Sequence, residues 1–177
     1  MPARDIETIY ADCSRMVYWA AYGVTKNEHD AMDAMQNVFL RTMNHLGTLA
    51  NMNDAQLKGW LYRVTVNICT DALRKRKHEV LTGEDAEVLS ESVYDMPEAA
   101  AIAGEDKRRV REAIDTLPDI YREAVLLHYF SGCDYKQIAQ MTGTTEGNIK
   151  SRMSRAKQRL YAVLKKEGGE NDGESIR

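Results

Sequence analysis

Cysteine, proline and long apolar runs are scarce in this chain, and each shortage removes a class of protein. There are three cysteines in 177 residues, Cys13, Cys69 and Cys133. An odd number at such wide spacing gives neither a disulfide framework nor a zinc knuckle, so each reads as a small buried apolar residue. There are three prolines, and no segment alternates apolar and polar residues as a half-buried strand does. Ala, Leu, Met, Lys, Arg and Glu dominate instead, which favours helix. No apolar run approaches the length of a membrane span, and the N-terminal stretch lacks the apolar centre of a signal peptide. The cytoplasm is therefore the expected compartment, with no direct insertion into a membrane. Chemistry is equally sparse. No glycine-rich loop is placed to cradle a phosphate, no histidines and cysteines stand at metal-ligand spacing, and no nucleophile has an evident base. Asp30 and Asp33 are the nearest approach to a metal pair, and neither a histidine nor a third carboxylate joins them. No catalytic residue, metal or cofactor is expected. His128, in an apolar helix, reads as packed.

What is present is charge, unevenly distributed. Charged residues make up 29% of the chain and hydrophobic ones 44%, a balance that folds. The formal net charge is −3, which is unpromising for a nucleic-acid binder until it is divided along the sequence. Residues 58–78 and 107–167 are basic, whereas 79–106 hold nine acidic groups and no basic one. Local charge steers contact with nucleic acid more than the whole-chain sum does.

The densest information lies between Asp134 and Leu160, DYKQIAQMTGTTEGNIKSRMSRAKQRL. A first helix turns Ile138 and Ala139 inward. Gly143 supplies the left-handed conformation of a tight helix exit. Thr144 or Thr145 caps the next helix, which repeats apolar residues at Ile149, Met153, Ala156, Leu160 and Leu164. Lys150, Arg152, Arg155, Lys157 and Arg159 surround that stripe. A supported helix with a cationic outer face suits the DNA major groove.

Upstream, Ile6, Ile9, Tyr10, Cys13, Met16, Val17 and Ala20 predict a first helix. A second is expected over Glu28–Leu46, burying Met35, Val38, Phe39, Thr42 and Met43 or some of them, followed by a polar loop over Gly47–Asp54. A third is expected from Ala55, with Leu57, Trp60, Leu61, Val64, Ile68 and Ala72 on one side, ending in Arg74-Lys75-Arg76-Lys77-His78. Residues 79–106 read as a flexible acidic linker with a short helix near Glu98–Ala103. At about 3.3 Å per extended residue it spans on the order of 90 Å. In the second unit, Val110, Ile114 and Leu117 precede Pro118, and Tyr121 to Tyr129 form a helix ended by Ser131-Gly132. The expected architecture is all-α: two small helical domains, 4–78 and 107–167, joined by 79–106.

Three segments in this order resemble one family. "LPDIYREAVLLHYFSGCDYKQIAQMTGTTEGNIKSRMSRAKQRL" is similar to region 4 of bacterial RNA polymerase sigma factors of the extracytoplasmic-function class. "DAMDAMQNVFLRTMNHL" resembles their region 2.2, and "LKGWLYRVTVNICTDALRKRK" their regions 2.3 and 2.4. The resemblance implies a factor that binds core RNA polymerase and directs initiation at promoters, with no active site of its own. It implies that Asp33 and Gln36 meet the clamp helices of the β′ subunit and that region 4 meets the β flap. Asn67 would receive a flipped base of the −10 element, with Arg63, Arg74 and Lys75 holding the backbone. Lys150, Ser151, Ser154 and Arg155 would read the −35 element, with Arg152, Lys157 and Arg159 on phosphate. An anti-sigma factor, membrane-anchored or free, is the further expected partner, and the acidic linker would thread the polymerase channel. Each residue also has a plainer role: helix capping for Asp33 and Gln36, a core place for Trp60, a solvated face for the basic residues. Thr142 and Thr144 depart from the apolar residues usual around the turn glycine, and Lys150 replaces an arginine found in some members. The rival reading is a two-domain transcriptional regulator, which shares the helix-turn-helix but has no need of the basic third helix.

Overall fold

A computed structural model describes residues 3–82 and 104–172, and among these every regular element is helical. The elements are α1 (Ile6–Thr25), α2 (Glu28–Asn44), α3 (Leu46–Leu49), α4 (Asp54–Thr82), α5 (Glu105–Asp115), α6 (Asp119–Val125), α7 (Tyr135–Thr142) and α8 (Glu146–Asp172). A π-helical turn over Leu126–Phe130 continues α6.

Local chemistry sets most of the boundaries. Asp5 accepts from the Thr8 N–H at 2.7 Å and starts α1. Asn27 does the same for α2, accepting from the Asp30 N–H at 3.0 Å. At the start of α4, Asn53 and Gln56 exchange backbone and side-chain hydrogen bonds of 2.9 and 3.2 Å, a reciprocal cap that satisfies two otherwise free donors. The polar loop expected over Gly47–Asp54 is interrupted, because Leu46–Leu49 forms a short helix with Leu49 buried. The expected third helix is longer than its apolar pattern, running past His78 to Thr82. The short helix expected near Glu98–Ala103 lies outside the described residues.

Helices α1, α2 and α4 form a bundle around Ile9, Cys13, Met16, Val17, Val38, Leu57 and Leu61. Of the residues offered for burial on α2, Met43 instead faces outward, 56% exposed. On α4 the buried stripe is Leu57, Leu61, Thr65 and Cys69. Thr65 is admitted because its hydroxyl donates to the Leu61 carbonyl at 2.6 Å. Trp60 is partly buried and meets His45 with ring centroids 5.7 Å apart. Helices α5 to α8 build the second unit around Ile114, Leu117, Leu127, Ile138, Ile149, Met153 and Ala156. All three cysteines are buried and unpaired. His128 is half-buried, its Nδ1 2.8 Å from the Cys133 carbonyl.

The two units do not stand apart: they meet along a seam, and their buried residues form one continuous cluster. Trp19 of α1 packs against Phe130, ring centroids 4.7 Å apart. Arg122, 2% exposed, donates from Nε and Nη2 to the Gly23 carbonyl at 2.9 and 2.8 Å, and from Nη1 to the Leu117 carbonyl at 2.9 Å. Nη2 also reaches Asp119 at 2.7 Å. Tyr22 donates to both carboxylate oxygens of Asp115 at 3.0 Å. Arg111 pairs with Glu28, and Tyr62 donates to Glu123. The rim of the seam is thus polar, and apart from the local Arg122 bonds to Leu117 and Asp119 these contacts join residues far apart in sequence.

Replacing Arg122 leaves two buried carbonyls without their donors. Arg122→Ala is expected to lower the unfolding free energy by about 2–3 kcal/mol and to split a single denaturant transition into two, read by tryptophan fluorescence and far-ultraviolet circular dichroism in parallel.

Candidate nucleic-acid interface

Helix α7 is held by a reciprocal cap in which Asp134 accepts from the Gln137 N–H at 2.7 Å and Gln137 from the Asp134 N–H at 2.9 Å. It ends at Gly143 with φ of 69°, and Met141 is buried beside the turn. Of the two candidate caps for α8 it is Thr145 whose hydroxyl takes the Asn148 N–H, at 3.2 Å. Thr144, its hydroxyl bonded to the Asn148 side chain at 2.9 Å, braces the turn from outside. The two threonines that depart from the family pattern are therefore both accommodated. Thr142 donates back to the Ile138 carbonyl at 2.7 Å.

On α8, Ile149, Met153 and Ala156 are fully buried against α6 and α7. Helical geometry then puts Ser151, Ser154 and Arg155 on the far side, with Lys150 at its margin; all four are exposed. Two small hydroxyls between two cations leave room for a base edge to approach the helix. The remaining bases sit on the flanks and lean on tyrosines. Lys157 lies over the Tyr129 ring at 5.8 Å, and Arg159 over Tyr121 at 5.5 Å. Arg155 also reaches the Tyr121 hydroxyl at 3.5 Å, and this neighbour lowers the pKa of the Tyr121 phenol. Arg152 is only half exposed and faces the side of Glu123.

On α4, Arg63, Asn67 and Arg74 are exposed on one side, turned away both from the Leu57–Leu61–Thr65–Cys69 stripe and from Tyr62. Lys75 is exposed near the helix end but on a different side, next to Arg76, which binds Asp30 of α2 through two bonds of 2.8 and 2.9 Å. The structure thus brings three of the four candidate −10 residues together. On α2, Asp33 and Gln36 are half-buried and look into different hollows. Asp33 lines one with Asp30, Asn37 and Arg76; Gln36 lines a groove of about 310 Å³ with Tyr10, Phe39, Leu40 and Met43. Tyr10, Leu40 and Met43 are exposed apolar side chains at this groove, although Tyr10 belongs to the apolar stripe of α1 and Met43 is among the candidates for burial on α2.

Burial raises the thiols of Cys13, to about 11, and Cys69, to about 12, so both stay protonated and are poor ligands. Among the described residues no group of three or more His, Cys, Asp or Glu is gathered to hold a metal ion, and no helix is long and apolar enough to cross a membrane.

Residues 9–79 match the sigma-70 region 2 family and residues 107–160 the sigma-70 region 4 family. The chain is 32% identical to the ECF RNA polymerase sigma factor SigM of Bacillus subtilis, over 94% of this chain and 98% of that one. It is also 32% identical to the ECF RNA polymerase sigma factor SigM of Mycobacterium tuberculosis, over 92% and 77% respectively. Among solved structures it resembles the sigma factor RpoE of Bartonella quintana, crystallised with the anti-sigma factor NepR, with 27% identity, a TM-score of 0.66, and 90% and 96% of the two chains covered.

The turn that sets α7 against α8 depends on the left-handed conformation of Gly143. A Cβ there would touch nothing within 4 Å, so the strain of Gly143→Ala is confined to the backbone. A loss of about 1–2 kcal/mol is expected, measured by denaturant melts, with α8 remaining helical by circular dichroism.

Proposed function

The chain belongs to the sigma-70 family of RNA polymerase sigma factors, in its extracytoplasmic-function class, and on that premise we propose how its residues divide the work of initiation. The protein binds core RNA polymerase and directs promoter-specific transcription. Residues 4–78 act as region 2 and residues 107–167 as region 4, with the acidic 79–106 between them. Catalysis belongs to the polymerase, and this chain supplies none; its place of work is the cytoplasm.

The observation that carries this reading is the outer face of α8, where Ser151 and Ser154 lie between Lys150 and Arg155 on a capped helix backed by α7. That face enters the major groove at the −35 element. Arg155 and Lys150 read base edges, while Arg152, Lys157 and Arg159, set on the flanks, meet phosphate. On α4, Asn67 takes a base of the melted −10 strand, since an amide both donates and accepts at a base edge. Arg63 and Arg74 hold the strand beside it, and Lys75 meets it further along. Asp33 and Gln36 on α2 contact the polymerase, with the exposed Leu40 and Met43 adjoining Gln36. An anti-sigma factor is the further partner, as the likeness to a sigma factor crystallised with one suggests.

Both elements cannot be engaged while the seam is shut. Packed helices lie about 8–10 Å apart, so two layers place α8 roughly 20 Å from α4. Positions −10 and −35 are about 25 base pairs apart, roughly 85 Å along the duplex. The two units separate before the promoter is held at both ends.

The rival, a regulator that binds DNA alone, is distinguished by run-off transcription with purified core polymerase over a library of promoters. A sigma factor confers initiation at a defined −35 and −10 pair, and a regulator confers none. Within that assay, Arg155→Ala is expected to relax the preference among −35 variants, since a good bidentate base contact discriminates by about 1–3 kcal/mol. Lys157→Ala should weaken all variants alike and lower the slope of log affinity against log salt by about 0.9. An equal loss on every variant for Arg155→Ala would make that residue a phosphate clamp. Asn67→Ala should impair open-complex formation on duplex promoters more than on pre-melted ones or in closed-complex binding, as read by permanganate reactivity. Equal defects on both templates would assign Asn67 to helix support.

A further inference from the structure

The seam contains one carboxyl whose partners do not neutralise it. Glu123 on α6 is half-buried in the seam and is reached from α4 by the Tyr62 side chain. Tyr62 of α4 donates to it, and a phenol is a hydrogen-bond partner without charge. Arg122, the next residue, spends its guanidinium on the Gly23 and Leu117 carbonyls and on Asp119. From α8, Arg152 contributes only attraction at a distance. Alpha-helix α1 lines the adjoining hollow with Trp19, Ala20, Gly23 and Val24, none of them charged. Among the described residues Glu123 makes no ion pair. The other carboxylates that the seam engages have cations paired or close by: Glu28 has Arg111, Asp119 has Arg122, and Asp115, whose two oxygens share the single Tyr22 proton, has Arg111, Arg122 and Lys26 around it.

We propose that Glu123 makes the closing of the two units a proton-dependent latch, shut when the carboxyl is neutral under Tyr62 and released when it ionises. The inference rests on the reading of this chain as two units that separate to hold a promoter. A neutral carboxylic acid is held in the seam at little cost, and it both donates and accepts toward the Tyr62 hydroxyl. An ionised one, lacking a paired cation, regains its full hydration when the seam opens and α6 moves away from Tyr62. Burial pushes the Glu123 carboxyl up to about 7 in the closed form, from an ordinary value of 4.5. Opening returns it toward the ordinary value. A group raised in the closed state supports closure fully at pH values below its open-state pKa and ceases to do so as pH rises through its closed-state pKa. The support is therefore lost around neutrality. Asp115 is raised in the same direction by burial, with Tyr22, Arg111, Arg122 and Lys26 around it, so a control at that position belongs in the test.

The closed–open equilibrium is to be followed in the free, full-length chain by single-molecule energy transfer between dyes placed through Ala11→Cys on α1 and Ala162→Cys on α8, both exposed positions. From pH 6 to pH 8 the closed-to-open ratio should fall roughly tenfold. Glu123→Gln and Glu123→Leu should both abolish that dependence and stay closed at pH 8, whereas Asp115→Asn should keep most of it. An unchanged slope in the Glu123 variants, or a ratio that does not move with pH in the wild type, overturns the latch. Carbon-13 carboxyl shifts of the wild-type chain give an answer that depends on no variant: one glutamate titrating near pH 7 supports the proposal, and all glutamates titrating in their ordinary range overturns it. Neither polymerase nor DNA enters these measurements, so their failure leaves the initiation assay standing, and failure of that assay leaves the seam's titration standing.

Discussion

A single helix of 29 residues, α4, divides its circumference among three surfaces, and the rest of the molecule is arranged around that constraint. One side, Leu57, Leu61, Thr65 and Cys69, is the buried seat of α1 and α2. A second, marked by Tyr62, Thr70 and Leu73, faces the second unit. The third carries Arg63, Asn67 and Arg74 into solvent. Side chains that serve one surface are unavailable to the others, so the helix stays long and its outer side stays polar and basic. It is pinned at the start by the Asn53–Gln56 cap and towards its end by the two Arg76–Asp30 bonds. This is how a helix bearing one candidate DNA face also adjoins the second unit.

The chemistry of the seam suits a contact that is made and broken. Its centre is apolar, with Trp19 on Phe130, but its rim consists of hydrogen bonds and ion pairs to groups that water satisfies once the units part. Such a boundary resembles a transient interface more than the interior of a single domain. It also leaves the two candidate DNA faces uncovered: Asn67 and Arg63 on α4, and Ser151, Ser154 and Arg155 on α8, are all exposed in the closed form. On the proposed placement of these faces, the obstacle to promoter engagement is the distance between them, not occlusion of either one.

The local layer of this structure was legible in the sequence because its signals are local. Gly143 has the positive φ that its position demanded, one of the two candidate threonines caps α8, and Ile149, Met153 and Ala156 are buried at their helical spacing. The same spacing puts Arg152, Arg155 and Arg159 on one outer side, whereas Ser151 and Ser154 are legible only through the family resemblance. Periodicity failed where burial depends on a neighbouring element. Tyr10 and Met43 keep the helical phase but border an open groove, and Thr65 enters the core by satisfying its hydroxyl on Leu61. The seam was missed altogether, because its bonds join residues 61, 93 and 99 positions apart. One signal was nonetheless there. Arg122 stands three and four residues before the buried Val125 and Leu126, in phase with the apolar face of its helix. A charged residue in that phase needs hydrogen-bond partners that its own helix does not supply. The carboxylates and phenols of the seam gave no comparable sign, since each reads as an ordinary surface residue until the partner helix arrives.

On the proposed function, α4 and α8 act on one promoter only after the two units separate. The most direct measurement is the distance between spin labels on Ala11→Cys and Ala162→Cys, taken by pulsed electron resonance in the free chain and again in a promoter complex with core polymerase. The native cysteines are buried and will not take the label. The account predicts one short distance, within about 40 Å, in the closed protein, set by a few layers of packed helices. It predicts a shift to well beyond about 60 Å in the promoter complex, as the roughly 85 Å between the two elements requires. An unchanged distance in a complex that is open and transcribing would contradict it.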